Sequence, residues 1–98
     1  MNLVVAGRHV DVTEAMKNYA RQKVEKLSKY FNRLSSVKVT MDIEAGKHSV
    51  EIVATAVKGA TLVAHHKDDD MYAAIDLATA KLERQLKRLK EKLQKHHG

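Results

Sequence analysis

The sequence contains no cysteine, which removes disulfides and thiolate metal sites and fits a reducing compartment. It contains no proline, which argues against a flexible or proline-rich linker. No window approaches the roughly 18 consecutive apolar residues of a membrane-spanning helix. The chain begins with a strand-like run, NLVVAG, without the charged region and cleavable apolar stretch of a secretion signal. These absences point to a cytosolic protein with no membrane-spanning segment. There is no internal repeat and no low-complexity tract. What remains, 98 residues of which 44% are apolar, is enough for one domain over residues 1–98 with one modest core.

The charge is unevenly spread. The chain carries a formal +6, and from Leu77 to Gly98 seven Lys and Arg stand against two Glu, a net +5. Such a concentration on one element favours a polyanion, either nucleic acid or an anionic membrane surface. On a helical wheel of KLERQLKRLKEKLQKHH (81–97), Leu82, Leu86, Leu89 and Leu93 line one face, while Lys81, Arg84, Arg88 and Lys95 gather opposite. Something outside the core must meet that second face.

Along the chain the pattern reads strand, helix, three strands, helix. NLVVAGR is β-rich, and Thr13 is a plausible N-cap with Glu14 in the first turn of a helix ending near Tyr30 to Asn32. Met16, Ala20, Val24, Leu27 and Phe31 give that helix an apolar stripe. In VKVTMDI, Val37, Val39, Met41 and Ile43 alternate with polar residues as in a half-buried strand. AGKH is a hairpin turn, VEIVATAV a second strand, KGA with Gly59 a further turn, and TLVAHH a third strand. Asp68, Asp69 and Asp70 mark the start of the final helix, where carboxylates cap orphan amides and oppose the positive end of the dipole. With one apolar stripe per helix, the economical packing is an α+β two-layer sandwich, β-α-β-β-β-α, with both helices on one face of a four-stranded sheet. Lys26, Lys29, Lys81, Arg84 and Arg88 then project to solvent.

The residues also bear a family resemblance. VTEAMKNYARQKVEKLSKYF, and above all DMYAAID running into KLERQLKRLK, resemble the short hibernation-promoting factors and ribosome-associated inhibitor A proteins of bacteria, over essentially the whole chain. The resemblance implies a fold similar to a double-stranded RNA-binding domain with an added N-terminal strand. It implies a protein that lodges in the small ribosomal subunit, between head and body, over the messenger and transfer RNA sites during starvation or stationary phase; off the ribosome the chain is expected to be monomeric. Long members carry a C-terminal dimerisation domain, and this chain is expected to lack it. By position, the residues implied to face ribosomal RNA are Lys23, Lys26 and Lys29 in the first helix, and Lys81, Arg84, Lys87, Arg88 and Lys90 in the last, with Arg8 after the first strand. The helical wheel agrees for most of these, although Lys23 lies at the edge of the first apolar stripe and Lys90 about 60° from the centre of the second. Arg84 and Arg88 rank highest, because a guanidinium fork engages phosphate oxygens bidentately.

Other chemistries find less support. Tyr72 and Ile75 sit on the leucine side of the last helix, as core residues do, and the three aspartates lack the spaced oxygen ligands of a cation loop. His65 and His66 are adjacent on a strand and point to opposite sides, while His96 and His97 lie at the terminus. No metal site, cofactor or catalytic constellation is expected, so the chain does not read as an enzyme. Two rival readings are an RNA-binding module of another kind and a membrane-surface or helix-pairing role for the leucine stripe. Against an ordinary double-stranded RNA-binding domain, DDDMYAAID puts carboxylates where that module grips duplex phosphates.

Overall fold

A computed structural model describes residues 1–95, except for the side chains of Val57 and of residues 93–95; the expectations for Leu93, Lys95, His96 and His97 lie outside the described residues. The elements are β1 (Asn2–Arg8), α1 (Glu14–Tyr30), β2 (Leu34–Glu44), β3 (Lys47–Ala56), β4 (Thr61–Asp68) and α2 (Met71–Lys95), with a 3-10 turn at Val57–Gly59. The strands form one mixed sheet in the order β1-β2-β3-β4, with β1 parallel to β2 and the other pairs antiparallel. This is the β-α-β-β-β-α sandwich that the sequence pattern predicts.

Local chemistry sets the boundaries. Thr13 is extended, and its hydroxyl accepts from the Met16 amide at 3.1 Å, satisfying one orphan donor of α1. At the other end the Phe31 amide donates to the Leu27 carbonyl at 2.7 Å. The hairpin between β2 and β3 turns on Ala45 and Gly46, both with positive φ, as tight turns matching the strand twist require. Gly7 serves a different need. A Cβ there would collide with the Val12 side chain and lie 2.7 Å from the Val10 carbonyl, because the chain leaving β1 folds back over it.

The sheet's period of two then builds the core. Val37, Val39 and Met41 of β2 pair with Ala54, Ile52 and Val50 of β3, all buried on the face that receives the helices. From α1 come Ala20, Val24 and Leu27, and from α2 Met71, Ala74, Ile75, Ala78, Leu82 and Leu86. Each large side chain buried in this way contributes about 1.5–3 kcal/mol relative to exposure.

Three expectations need correction. Ile43 continues the inward alternation but is 41% exposed, because it lies beyond Arg8–Asp42, the last rung of β1, on a hairpin tip that β1 does not flank. Among the described side chains of the leucine stripe of α2, Leu82 and Leu86 are buried, while Leu89 is half-buried. The three aspartates divide their work. Asp70 accepts from the Ala73 amide at 3.1 Å and is the cap, Asp68 accepts from the Asp70 amide at 3.2 Å, and Asp69 pairs with Lys47 at 2.8 Å.

Candidate nucleic-acid interface

Of the four lysines of α1, Lys23, Lys26 and Lys29 recur every third residue, a step of about 300°, so each is rotated relative to the last. Lys23 falls toward α2. Its ammonium lies 2.9 Å from Asp76 Oδ1 and 5.5 Å from the centre of the Tyr19 ring, and the Tyr19 hydroxyl donates to the same Asp76 oxygen at 2.6 Å. Tyr72 completes the seam, edge-on to Tyr19 with ring centres 5.2 Å apart. The hydrogen bond from Tyr19, then that from Lys23, holds the Asp76 carboxyl below the usual carboxylate range against the opposing effect of burial. Asp76 in turn raises the Lys23 ammonium and the Tyr19 phenol above their ordinary values. Ile75 is fully buried and Tyr72 half-buried, so the residues of YAAID serve packing and this seam.

On α2 the cations occupy different settings. Lys81 does not project freely as the wheel suggests. Its ammonium donates to the His65 carbonyl at 2.7 Å, and Gln85 donates to the Val63 carbonyl at 2.8 Å, so two side chains of α2 bond carbonyls of the edge strand β4. Lys87 pairs with Glu83 at 3.3 Å, and Lys90 stands 5.9 Å from the centre of the Phe31 ring. Arg8 belongs to the other face of the sheet, where its Nε bonds Asp42 at 3.1 Å. Burial pushes the Asp42 carboxyl up, but hydrogen bonds from the Ile43 amide and Arg8 outweigh it and hold the group low. Lys26, Lys29, Arg84 and Arg88 are exposed and have no ion-pair or hydrogen-bond partner among the described residues.

These elements leave an open groove between the helices. Lys26, Leu27, Tyr30, Phe31, Glu83 and Lys87 line it. The histidines stay apart. His65 Nε2 is 3.0 Å from the Ser49 hydroxyl, and His66 Nε2 is 3.6 Å from Asp68 on the opposite side of the sheet. No group of three or more metal-ligating side chains comes together among the described residues.

Residues 3–94 match the Sigma 54 modulation protein / S30EA ribosomal protein family. The chain belongs to that family. It is 42% identical over 92 residues to a ribosome hibernation promoting factor of Azotobacter vinelandii, covering 94% of this chain and 85% of the relative. It is 38% identical over 96 residues to the ribosome hibernation promoting factor of Escherichia coli K12, covering 98% of this chain and all of the relative. Among solved structures, a ribosomal subunit interface protein from Coxiella burnetii superposes with a TM-score of 0.86 at 27% identity, over 93% of this chain and 99% of that one. The N-terminal domain of Thermus thermophilus Protein Y gives 0.79 at 35% identity, over 91% and 99%.

In this S30EA chain the nine basic positions named from the sequence therefore do not form one continuous surface. Lys26, Lys29, Lys87, Arg84 and Arg88 lie on the open sides of the two helices, Lys23 leans into the seam, Lys90 is exposed beside Phe31, Lys81 is engaged at the sheet edge, and Arg8 is on the other face. Asp76 and Tyr19 escaped sequence reasoning as site residues. The available signal was the position of Lys23 at the edge of an apolar stripe, where a cation needs an anionic partner, and the lone carboxylate inside YAAID that supplies one.

Proposed function

We propose that this S30EA protein is a ribosome hibernation factor acting in the cytoplasm as a single ribosome-binding domain, monomeric off the ribosome. It binds the small ribosomal subunit and its ribosomal RNA through the open faces of both helices. The observation that carries the reading is the set of exposed cations without partners among the described residues, Lys26, Lys29, Arg84 and Arg88, on helices whose other faces are committed to the core. Near-full-length similarity to ribosome hibernation promoting factors supports the choice of the ribosome as the polyanion.

The mechanism is steric and electrostatic, with no bond made or broken. The guanidinium and ammonium groups neutralise backbone phosphates in a ribosomal groove, releasing their counterions. The body of the domain then occupies space that messenger and transfer RNA require, so translation is inhibited by exclusion during stress or stationary phase. The rival helix-pairing or membrane role loses ground because Leu82 and Leu86 are used in the core. A duplex-docking mode loses ground because Asp69 and Asp70 lie exposed before α2, where they repel phosphates.

Competition tests the mechanism. Saturating protein should prevent initiator transfer RNA from binding small subunits. Linkage requires messenger and transfer RNA to weaken binding of this protein by the same equilibrium factor. Simultaneous binding of all three at their separate affinities would refute exclusion even if the protein cosedimented with ribosomes.

A further inference from the structure

Four aromatic side chains occur in the chain, and three have evident structural work. Tyr19 and Tyr72 pack against each other in the helical seam, and Phe31 is 6% exposed beneath the helices. The fourth, Tyr30, is 75% exposed at the last position of α1. Its ring rests on Phe31 with centres 5.4 Å apart and planes inclined at 56°, a contact that orients the ring without covering it. No hydrogen bond to its hydroxyl occurs among the described residues.

Its surroundings are cationic on both sides. Toward α2 the groove lined by Tyr30 also holds Lys26 and Lys87, and its one carboxylate, Glu83, is engaged by Lys87 at 3.3 Å. Toward the start of β2 a smaller hollow joins Tyr30 to Arg33 and Lys90, with no carboxylate in its lining. A flat ring, held from one side and set between two clusters of cations, is the arrangement by which proteins hold single-stranded RNA. The cations take the phosphates, and the ring takes a base. A carboxylate-rich protein surface would match the cations but would give the ring no planar partner.

We propose that Tyr30 is a stacking platform for an unpaired base of ribosomal RNA, with Lys26 and Lys87 on one side and Arg33 and Lys90 on the other engaging the flanking phosphates. The proposal rests on the ribosome-binding reading above and adds to it a contact that the basic residues do not supply. Stacking is a contact between faces, so removing the ring should weaken binding without altering the number of phosphates neutralised.

The test is binding of Tyr30 variants to purified small subunits across a salt series. Tyr30→Ala should bind roughly 5- to 150-fold more weakly, the range of one base–aromatic stack, with an unchanged salt slope. Tyr30→Phe should bind like the wild type. Because the chain has no tryptophan, Tyr30→Trp introduces a single one, whose emission, excited apart from that of Tyr19 and Tyr72 and read as the difference from the wild type, should be quenched by small subunits and by a single-stranded oligoribonucleotide. Wild-type affinity in Tyr30→Ala would overturn the proposal. Weakened binding without quenching of Tyr30→Trp would also overturn it, by putting the ring against ribosomal protein. Quenching by the oligonucleotide in a protein that ignores small subunits would support the platform while refuting the ribosomal reading on which it was placed.

Discussion

The helical seam and the open helical faces use the same residue types for opposite ends. In the seam, Lys23 finds a carboxylate at 2.9 Å and a tyrosine ring, and its charge is spent on joining α1 to α2. A few residues along the same helices, Lys26, Lys29, Arg84 and Arg88 find no partner among the described residues. Since the open faces are well solvated, leaving those charges unpaired costs little in the free protein, and pairing them internally would contribute little. Their positive potential therefore remains available to a polyanion. The contrast teaches that cation count is a poor guide to a binding surface. What decides is whether the fold brings a carboxylate or a carbonyl within reach.

The strongest way to break this contrast is to attack the core beneath both regions. Leu86 is 2% exposed, and Leu86→Ala should cost about 2–5 kcal/mol, a large part of the stability of a domain this small. Thermal or denaturant unfolding measures it. If the protein melted normally yet lost ribosome binding, the leucine would be an interaction residue and the division between packing and open faces would fail.

Next in size is the loss of charge from the open face. Arg84→Ala combined with Arg88→Ala should leave the melting transition nearly unchanged and weaken cosedimentation with small subunits. The salt dependence should flatten by about one unit of log-log slope per lost phosphate contact on duplex DNA, and somewhat less on other nucleic acids. An identical salt series for the double variant and the wild type would remove these arginines from the interface.

The seam is probed through pH. The Asp76 carboxyl is held low in the folded state, so its stabilisation is complete above the ordinary value of 3.8 and is lost as pH falls through the lower folded value. Melting temperature should therefore drop on acidification through that range. Asp76→Asn should lower stability modestly at neutral pH and blunt part of the acid dependence, since the group is half-exposed and its ion pair is screened. A wild-type acid profile in Asp76→Asn would mean that other carboxylates account for it.

The smallest expected effect separates two cations of one helix. Lys81 is engaged by the His65 carbonyl at 2.7 Å, whereas Arg84 is exposed without a partner among the described residues. Lys81→Ala should therefore weaken ribosome binding less than Arg84→Ala and should slightly raise hydrogen exchange in β4. Equal losses of affinity would show that Lys81 leaves the strand edge when RNA is present.

Much of the fold was legible in the chain because its signals are local. Thr13 and Asp70 cap helices through hydrogen bonds that reach only three residues, and the alternation from Val37 to Met41 needs only the period of a strand. The same local rule misplaced Ile43, because whether an inward-pointing residue is covered depends on where β1 stops, and β1 is distant in sequence. The site was legible only in part for a related reason. A helical wheel gives the direction of Lys23 and Lys81, but not that Asp76 lies 53 positions away in sequence from the first, or that the His65 carbonyl faces the second.

The order of elements, the apolar stripe of each helix and the concentration of charge in the last are all readable along the chain. These follow from periodicity, capping and composition, which act over one or two turns. Which cations are consumed and which remain available, and that Tyr30 stands exposed between two groups of cations, came only with the packing. Those outcomes depend on the close approach of α1, α2 and the edge of the sheet. Hydrogen bonds and ion pairs form only within about 3–4 Å, so the pairing of charges is settled by the packing that brings distant segments together.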